Sequence, residues 1–192
     1  MTLRELSAVA SGISPGYSRQ RFLNGFALAT LYLLRHAKAG WAQPGMRDFD
    51  RPLDETGNAD SEAVGEVMAF GGHIPELTLC SGAARARQTL AGVAAKADTG
   101  KVTFVDQLYI TDAAGYLDMI REHSEVNSLL IIGHNPMMED LALALTGSGD
   151  ELARSELNAG FPTAGLAVIE FEGGFNAAAP GKGRLDAFIT PA

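Results

Sequence analysis

His36 follows Arg35 at the end of a short apolar run, residues 30–34, and His134 follows Gly133 at the end of another, residues 128–132. An unperturbed imidazole titrates at about 6.5, so near neutrality a useful fraction is neutral and nucleophilic. A ring nitrogen can accept a phosphoryl group and so divide one hard displacement into two easier ones. That chemistry needs positive charge around the phosphoryl oxygens, and Arg35 beside His36 is one source. Arg85 is a second, in the run Cys80-Ser81-Gly82-Ala83-Ala84-Arg85-Ala86-Arg87-Gln88-Thr89. A guanidinium there would fork two phosphate oxygens in a geometry lysine cannot copy. Arg85 and Thr89 are four apart and share a helix face, whereas Arg87 points elsewhere and reads as a solvated charge. Ser81 reads as the cap of that helix, and Cys80 as a small buried hydrophobe. His134 would donate to a phosphoryl oxygen. Asn135 reads as the N-cap of a helix that opens at Pro136, whose free N–H groups suit an anion. Alone, His36 reads more readily as a structural or surface residue and His134 as readily as one; the four groups together do not.

The loop after His36 carries Asp48-Phe49-Asp50-Arg51-Pro52-Leu53. Most such runs are solvated loop. This one follows the candidate nucleophile, which makes Asp48 and Asp50 candidate proton donors and Arg51 a candidate substrate contact. His73, in a turn, and His123, near a helix end, read as surface residues. One cysteine and four scattered histidines show no ligand spacing, and neither a phosphate-cradling glycine loop nor a dinucleotide fingerprint occurs. No metal and no cofactor are expected.

The elements that must position these groups follow from hydrophobic periodicity and its punctuation. Short apolar runs predict strands at 30–34, 77–80, 102–105, 128–132, 166–171 and 185–189. Helical spacing predicts helices at 56–70, stopped by Gly71-Gly72, and at 83–96, 113–122 and 136–145. Such alternation implies an α/β domain with a mostly parallel sheet. Those sheets bind ligands beyond the carboxyl ends of their strands. Arg35-His36 and Gly133-His134 would then share one edge. Residues 1–27 lack periodicity and read as an N-terminal extension, loosely ordered or with a short helix near residues 3–9; residues 28–192 form the domain.

At 192 residues with 46% apolar content, the chain suffices for one core. A net charge of −8 disfavours a nucleic-acid binder and makes a positive pocket informative. No apolar run approaches the roughly 20 residues of a membrane helix. A single cysteine and the lack of a signal-peptide pattern fit the cytoplasm.

Taken in order, Arg35-His36-Ala37, Ser81-x-x-x-Arg85-Ala86-x-Gln88-Thr89 and Gly133-His134-Asn135-Pro136 resemble the histidine phosphatase superfamily, also called phosphoglycerate mutase-like. The loop from Asp48 to Gly57 and the segment Phe161-Pro162-Thr163-Ala164-Gly165-Leu166 extend the likeness, which is greatest to its short SixA-type phosphohistidine phosphatase branch. The resemblance implies a three-layer α/β/α sandwich with about six strands. It also implies a covalent phosphohistidine on His36, with Arg35, Arg85 and His134 clamping the phosphoryl oxygens and Thr163 close by. Two departures bear on the substrate. The mutase branch carries a Glu where residues 106–111 offer none, and the acid phosphatase branch has Asp where this chain has Asn135, itself a candidate substrate contact. A P–N bond to histidine is labile and needs less help from an acid than an alkyl ester does. The leading expectation is therefore a phosphatase acting on phosphohistidine in a partner protein, or on a small activated phosphate compound. The alternatives are a phosphomonoester phosphatase of the same superfamily and a non-catalytic phosphate- or phosphopeptide-binding module.

Overall fold

Residues 28–191 are described by the computed structural model, so the extension expected at 1–27 lies outside the described residues. Strands β1 (Leu28–Arg35) and β4 (Ser128–Gly133) read as near-continuous apolar runs because both of their faces are covered. Successive side chains point to opposite faces. Leu31, Leu33, Leu129 and Ile131 accordingly enter one core, while Tyr32, Leu34, Leu130 and Ile132 enter the other. Each such Leu or Ile contributes about 1.5–3 kcal/mol on full burial. The two strands pair in parallel, with Leu34 against Ile132 and Arg35 against Gly133. His36 and His134 therefore leave the sheet side by side.

β2 (Leu77–Cys80), β3 (Lys101–Phe104), β5 (Thr146–Gly149), β6 (Leu166–Glu172) and β7 (Gly183–Ile189) complete a seven-stranded sheet of order β3-β2-β4-β1-β6-β7-β5. The sheet is mostly parallel; β6 alone runs against its neighbours β1 and β7. Helices α1 (Glu55–Gly71) and α2 (Ala84–Ala94) cover one face. Helices α3 (Ala113–Glu122), α4 (Met137–Leu145) and α5 (Glu151–Ala159) cover the other. The result is the three-layer α/β/α sandwich that the sequence implied.

The structure departs from expectation in a few places. There are seven strands rather than six, because Thr-Gly-Ser-Gly at β5 carries almost no strand-forming side chain and lies at the sheet edge. Helix α5 was not anticipated, although Asp150 caps it by accepting from the Ala153 N–H. Ser81 is not the N-cap of α2; Ala83 holds that position without a side-chain cap. Asn135 is not the N-cap of α4 either. Pro136, after a cis peptide bond, holds it, and the Met138 N–H already donates to the His134 carbonyl.

The loop from His36 to α1 is held on itself. Ala39 bridges Leu53, the Gly40 N–H donates to Pro52, and the Asp54 N–H donates to Lys38. Asp54 also caps α1 by accepting from the Gly57 N–H at 2.8 Å. Gly57 is required here by proximity: a Cβ on it would lie 2.0 Å from the Lys38 carbonyl oxygen, which is backbone and cannot swing aside. Gly57→Ala is therefore expected to lower unfolding free energy by about 1–3 kcal/mol. Because Lys38 is two residues from His36, activity should fall with it. Urea denaturation read beside a turnover assay checks both effects.

Candidate functional site

His36 and His134 extend from the adjacent ends of β1 and β4, with ring centroids 5.0 Å apart. Both are buried, each 8% exposed. The Nδ1–H of His36 donates to the carbonyl of Ala37 at 2.8 Å, and its Nε2 accepts from the Nε–H of Arg85 at 3.1 Å. These two bonds fit one tautomer, with the lone pair on Nε2. His134 Nε2 bonds the Ser81 hydroxyl at 2.9 Å, while its Nδ1 is buried without a protein partner.

Burial pushes the His36 imidazole down to about 4, helped by the charges of Arg85, Arg35 and Arg51 against a smaller opposing effect of the Ala37 carbonyl. His134 is pushed down to about 3, first by burial and then by His36 and Arg85. Both rings are neutral near pH 7. In the unfolded chain they titrate near 6.5, so between that value and about 4 the unfolded chain binds more protons. Stability therefore falls as pH drops through this window. The loss is absent above 6.5 and complete only below about 4 for His36 and about 3 for His134. Chemical denaturation from neutral pH down to about pH 4.5 should show this slope in the wild type, and a His36→Asn, His134→Asn double variant should lose most of it.

Helix α2 delivers Arg85, which is 5% exposed. Besides His36, its guanidinium donates from Nη1 to the Asp48 carbonyl at 2.6 Å and from Nη2 to Asp48 Oδ2 at 2.8 Å. The same helix fastens the neighbouring loop. Thr89 Oγ1 accepts from the Ala37 N–H at 2.9 Å, and Gln88 Oε1 accepts from the Leu53 N–H at 2.7 Å. The residues spaced as Arg85, Gln88 and Thr89 thus have separate tasks, one toward the imidazole and two toward the backbone that follows it. Arg35 donates from Nη1 to the Phe161 carbonyl at 2.7 Å, and burial lowers its pKa against the opposing charge of Glu139. Asn135 Nδ2 donates to Glu139 and to the same Phe161 carbonyl. Arg51 pairs with Asp48 Oδ1 at 3.0 Å.

The backbone of the 161–166 segment closes the site from β6. The Ala164 N–H donates to the carbonyls of Arg35 and His36, with Ala164 held in the left-handed region at φ 57°. A non-glycine residue there costs roughly 1–2 kcal/mol. Thr163 stands next to it, half-buried, at the same edge. Asp50 is exposed and tied to Arg47 at 2.6 Å, so it is not among the groups brought together.

The buried side-chain polar atoms without a hydrogen-bond partner among the described residues are Arg35 Nε, Arg51 Nε, His134 Nδ1 and Asn135 Oδ1. Every one belongs to a residue that the sequence had marked for the site. An unpaired buried polar group costs about 1–3 kcal/mol, and such a concentration in one place calls for a polar occupant. Three guanidinia around two neutral imidazoles suit an anion, in a chain whose net charge is −8.

Two residues of this site were not marked beforehand. Ser81 joins His134 rather than capping a helix. Tyr109 lies on the turn after β3; its hydroxyl donates to Asp48 Oδ2 at 2.8 Å and its ring meets His134 edge-on at 5.2 Å. Of the others, Arg87 lies exposed over the Phe104 ring and Cys80 is buried, its thiol pushed up to about 12 by burial. His73 and His123 are half-buried away from this edge, against Tyr32 and Glu125 respectively. A 340 Å³ apolar cavity between α1, α5 and β7 is lined by His73 but by none of the residues marked for the site. Among the described residues no cluster of His, Cys, Asp or Glu could hold a metal ion, and no helix is long and apolar enough to cross a membrane.

A neutral imidazole delivered by a parallel strand into a ring of guanidinia is an arrangement suited to an oxyanion, within an α/β sandwich of the phosphoglycerate mutase-like kind. The chain belongs to the histidine phosphatase superfamily, in its SixA-type branch. Residues 31–109 match the family model of the histidine phosphatase superfamily, branch 1. SixA from Agrobacterium tumefaciens is 39% identical, with a TM-score of 0.73 over 85% of this chain and 99% of that one. SixA from Nakamurella multipartitia is 29% identical, with a TM-score of 0.72 over 86% of this chain and 97% of that one. An uncharacterised chloroplastic protein of Arabidopsis thaliana is 30% identical over 98% of this chain and 85% of its own length. Membership in this superfamily supports phosphatase activity.

Proposed function

We propose that this protein removes phosphoryl groups from phosphohistidine in a partner protein, through a phosphoryl group carried transiently on His36. The observation that carries this reading is the state of His36. Its Nδ1–H is engaged by Ala37, which leaves the lone pair on Nε2, the nitrogen that faces Arg85. In the first step Nε2 bonds to phosphorus as the P–N bond of the substrate breaks. The departing imidazole takes a proton from water, and Asp48 is the carboxylate in reach of the clamp to relay it. Its partners, the Tyr109 hydroxyl first and Arg85 after it, lower its pKa and hold it ionised. It can relay that proton only once a phosphoryl group has drawn Arg85 away from it. In the second step water attacks phosphorus, the bond to Nε2 breaks, and inorganic phosphate leaves with His36 neutral again.

Positioning and charge stabilisation do most of this work in phosphoryl transfer. Arg85, Arg35 and Arg51 would hold the oxygens. The Ser81 hydroxyl, donating to His134 Nε2, would leave a hydrogen on Nδ1 for a further oxygen. Asn135 and Thr163 would border the group. A protein substrate is supported by two large apolar side chains left in water on the segments that carry Asp48 and Tyr109: Trp41 is 94% exposed and Ile110 80%.

The experiment is a comparison of kcat/KM for a phosphohistidine carrier protein, a small phosphoramidate and a set of phosphomonoesters. The carrier protein is expected to be the best substrate. Faster turnover of the monoesters would replace phosphohistidine by a phosphomonoester substrate while keeping the chemistry. Binding of phosphohistidine without turnover would make the protein a binding module.

A further inference from the structure

We propose that the Asp48 carboxylate is the resident anion of the phosphoryl clamp, steadied there by Tyr109, and that a phosphoryl group binds by exchanging with it. The proposal rests on the reading of Arg85 and Arg51 as phosphoryl-binding groups. Asp48 holds the guanidinium partners expected of a bound phosphate. Arg85 donates to Oδ2 at 2.8 Å and Tyr109 donates to the same oxygen at 2.8 Å, while Arg51 lies 3.0 Å from Oδ1. Two guanidinia and a phenol, supplied by α2, by the loop itself and by the turn after β3, converge on one carboxylate. All three Arg85 nitrogens are engaged, Nε on His36 Nε2, Nη1 on the Asp48 carbonyl and Nη2 on Asp48 Oδ2. The Nη2 position that faces Oδ2 opens to a phosphoryl oxygen when the Asp48 carboxylate yields it.

Asp48 is also built to leave. Its side chain is 53% exposed, against 6% for the Arg85 side chain, and it stands on a three-residue 3-10 turn, Asp48–Asp50, with no buried residue. Swinging it into water uncovers little apolar surface. The groups it leaves behind are fixed: Arg85 by its helix and Tyr109 by its ring contacts with His134 and Phe49. A carboxylate monoanion keeps the guanidinia aligned over the imidazole, and a phosphoryl dianion with three oxygens outbids it. Weak monoanions would not. The exchange thus filters ligands by charge, and the apparent affinity for phosphate is reduced by the fraction of molecules in which Asp48 has already left. Tyr109 is in this account a positioning residue, acting through Asp48.

Titration of inorganic phosphate into wild type, Asp48→Asn, Tyr109→Phe and the double variant separates this from simpler roles, with thermal melts to confirm that each is folded and Asp48→Ala as a second carboxylate deletion. Asp48→Asn should tighten phosphate about tenfold. Loss of charge alone could do the same, so Tyr109→Phe, which changes no charge, decides. It should tighten phosphate roughly threefold when Asp48 is present, the scale of one hydrogen bond to a charged group. The same substitution should do nothing beside Asp48→Asn. If Tyr109→Phe weakens phosphate, or acts equally with and without Asp48, the exchange is wrong and Tyr109 touches the ligand directly. Phosphate binding by none of the four would remove the clamp itself, whereas normal phosphate exchange with no phosphohistidine turnover would leave this inference standing and remove only the substrate.

Discussion

Replacing His36 by alanine is expected to lower turnover roughly 10³-fold or more, the scale on which loss of a nucleophile is felt. No other group in the site offers the same combination. His134 has its Nε2 engaged by Ser81, and the Cys80 thiol is buried and held protonated. His36→Ala should nevertheless fold, since the His36 side chain ends a strand whose core residues, Leu31 to Leu34, are unchanged. Near-normal melting with abolished steady-state turnover is the expected pair of results. Retention of activity within about tenfold would mean that water attacks phosphorus directly and that His36 only assists.

Arg85→Lys should be nearly as severe. Arg85 uses three nitrogens at once, toward His36 Nε2, the Asp48 carbonyl and Asp48 Oδ2. Lysine keeps the charge but presents a single compact donor group that cannot span a fork. Loss of one preorganised donor to a developing oxyanion lowers kcat by about 10²–10³-fold. The drop should appear mainly in kcat, because the remaining guanidinia still attract phosphate. Arg87→Lys, two residues away on the exposed side of the same helix, should stay within about twofold of wild type, as surface changes usually do.

Much of this was legible in the sequence, for identifiable reasons. The central strands announced themselves because β1 and β4 are buried on both faces and so are apolar without interruption. The ends of those runs placed His36 and His134 on one edge. β5 was illegible because Thr146, Gly147, Ser148 and Gly149 form a strand through backbone pairing with β7 alone. The reversed direction of β6 was equally hidden, since an apolar run has no arrow. Side-chain partners far apart in the chain were the hardest to foresee. Ser81 meets His134 across 53 positions, and Tyr109 meets Asp48 across 61. A serine before a helix reads locally as a cap, and a tyrosine on a short turn reads as a partly buried aromatic. Neither pattern encodes what the fold brings opposite. Asp48 and Asp50 show the same limit, because two residues apart in one loop they read alike, while the folded chain gives one to Arg85 and the other to Arg47.

The central claim is a phosphoryl group carried on His36 Nε2, and trapping it tests that claim most directly. The protein is mixed with a labelled phosphohistidine carrier, quenched in base within the first turnover, and mapped by mass spectrometry. The expected result is a base-stable, acid-labile phosphoryl group on the peptide containing His36, absent from His36→Ala. Turnover of the carrier at the wild-type rate with no phosphoryl group on that peptide, or with the label on another residue, would contradict it.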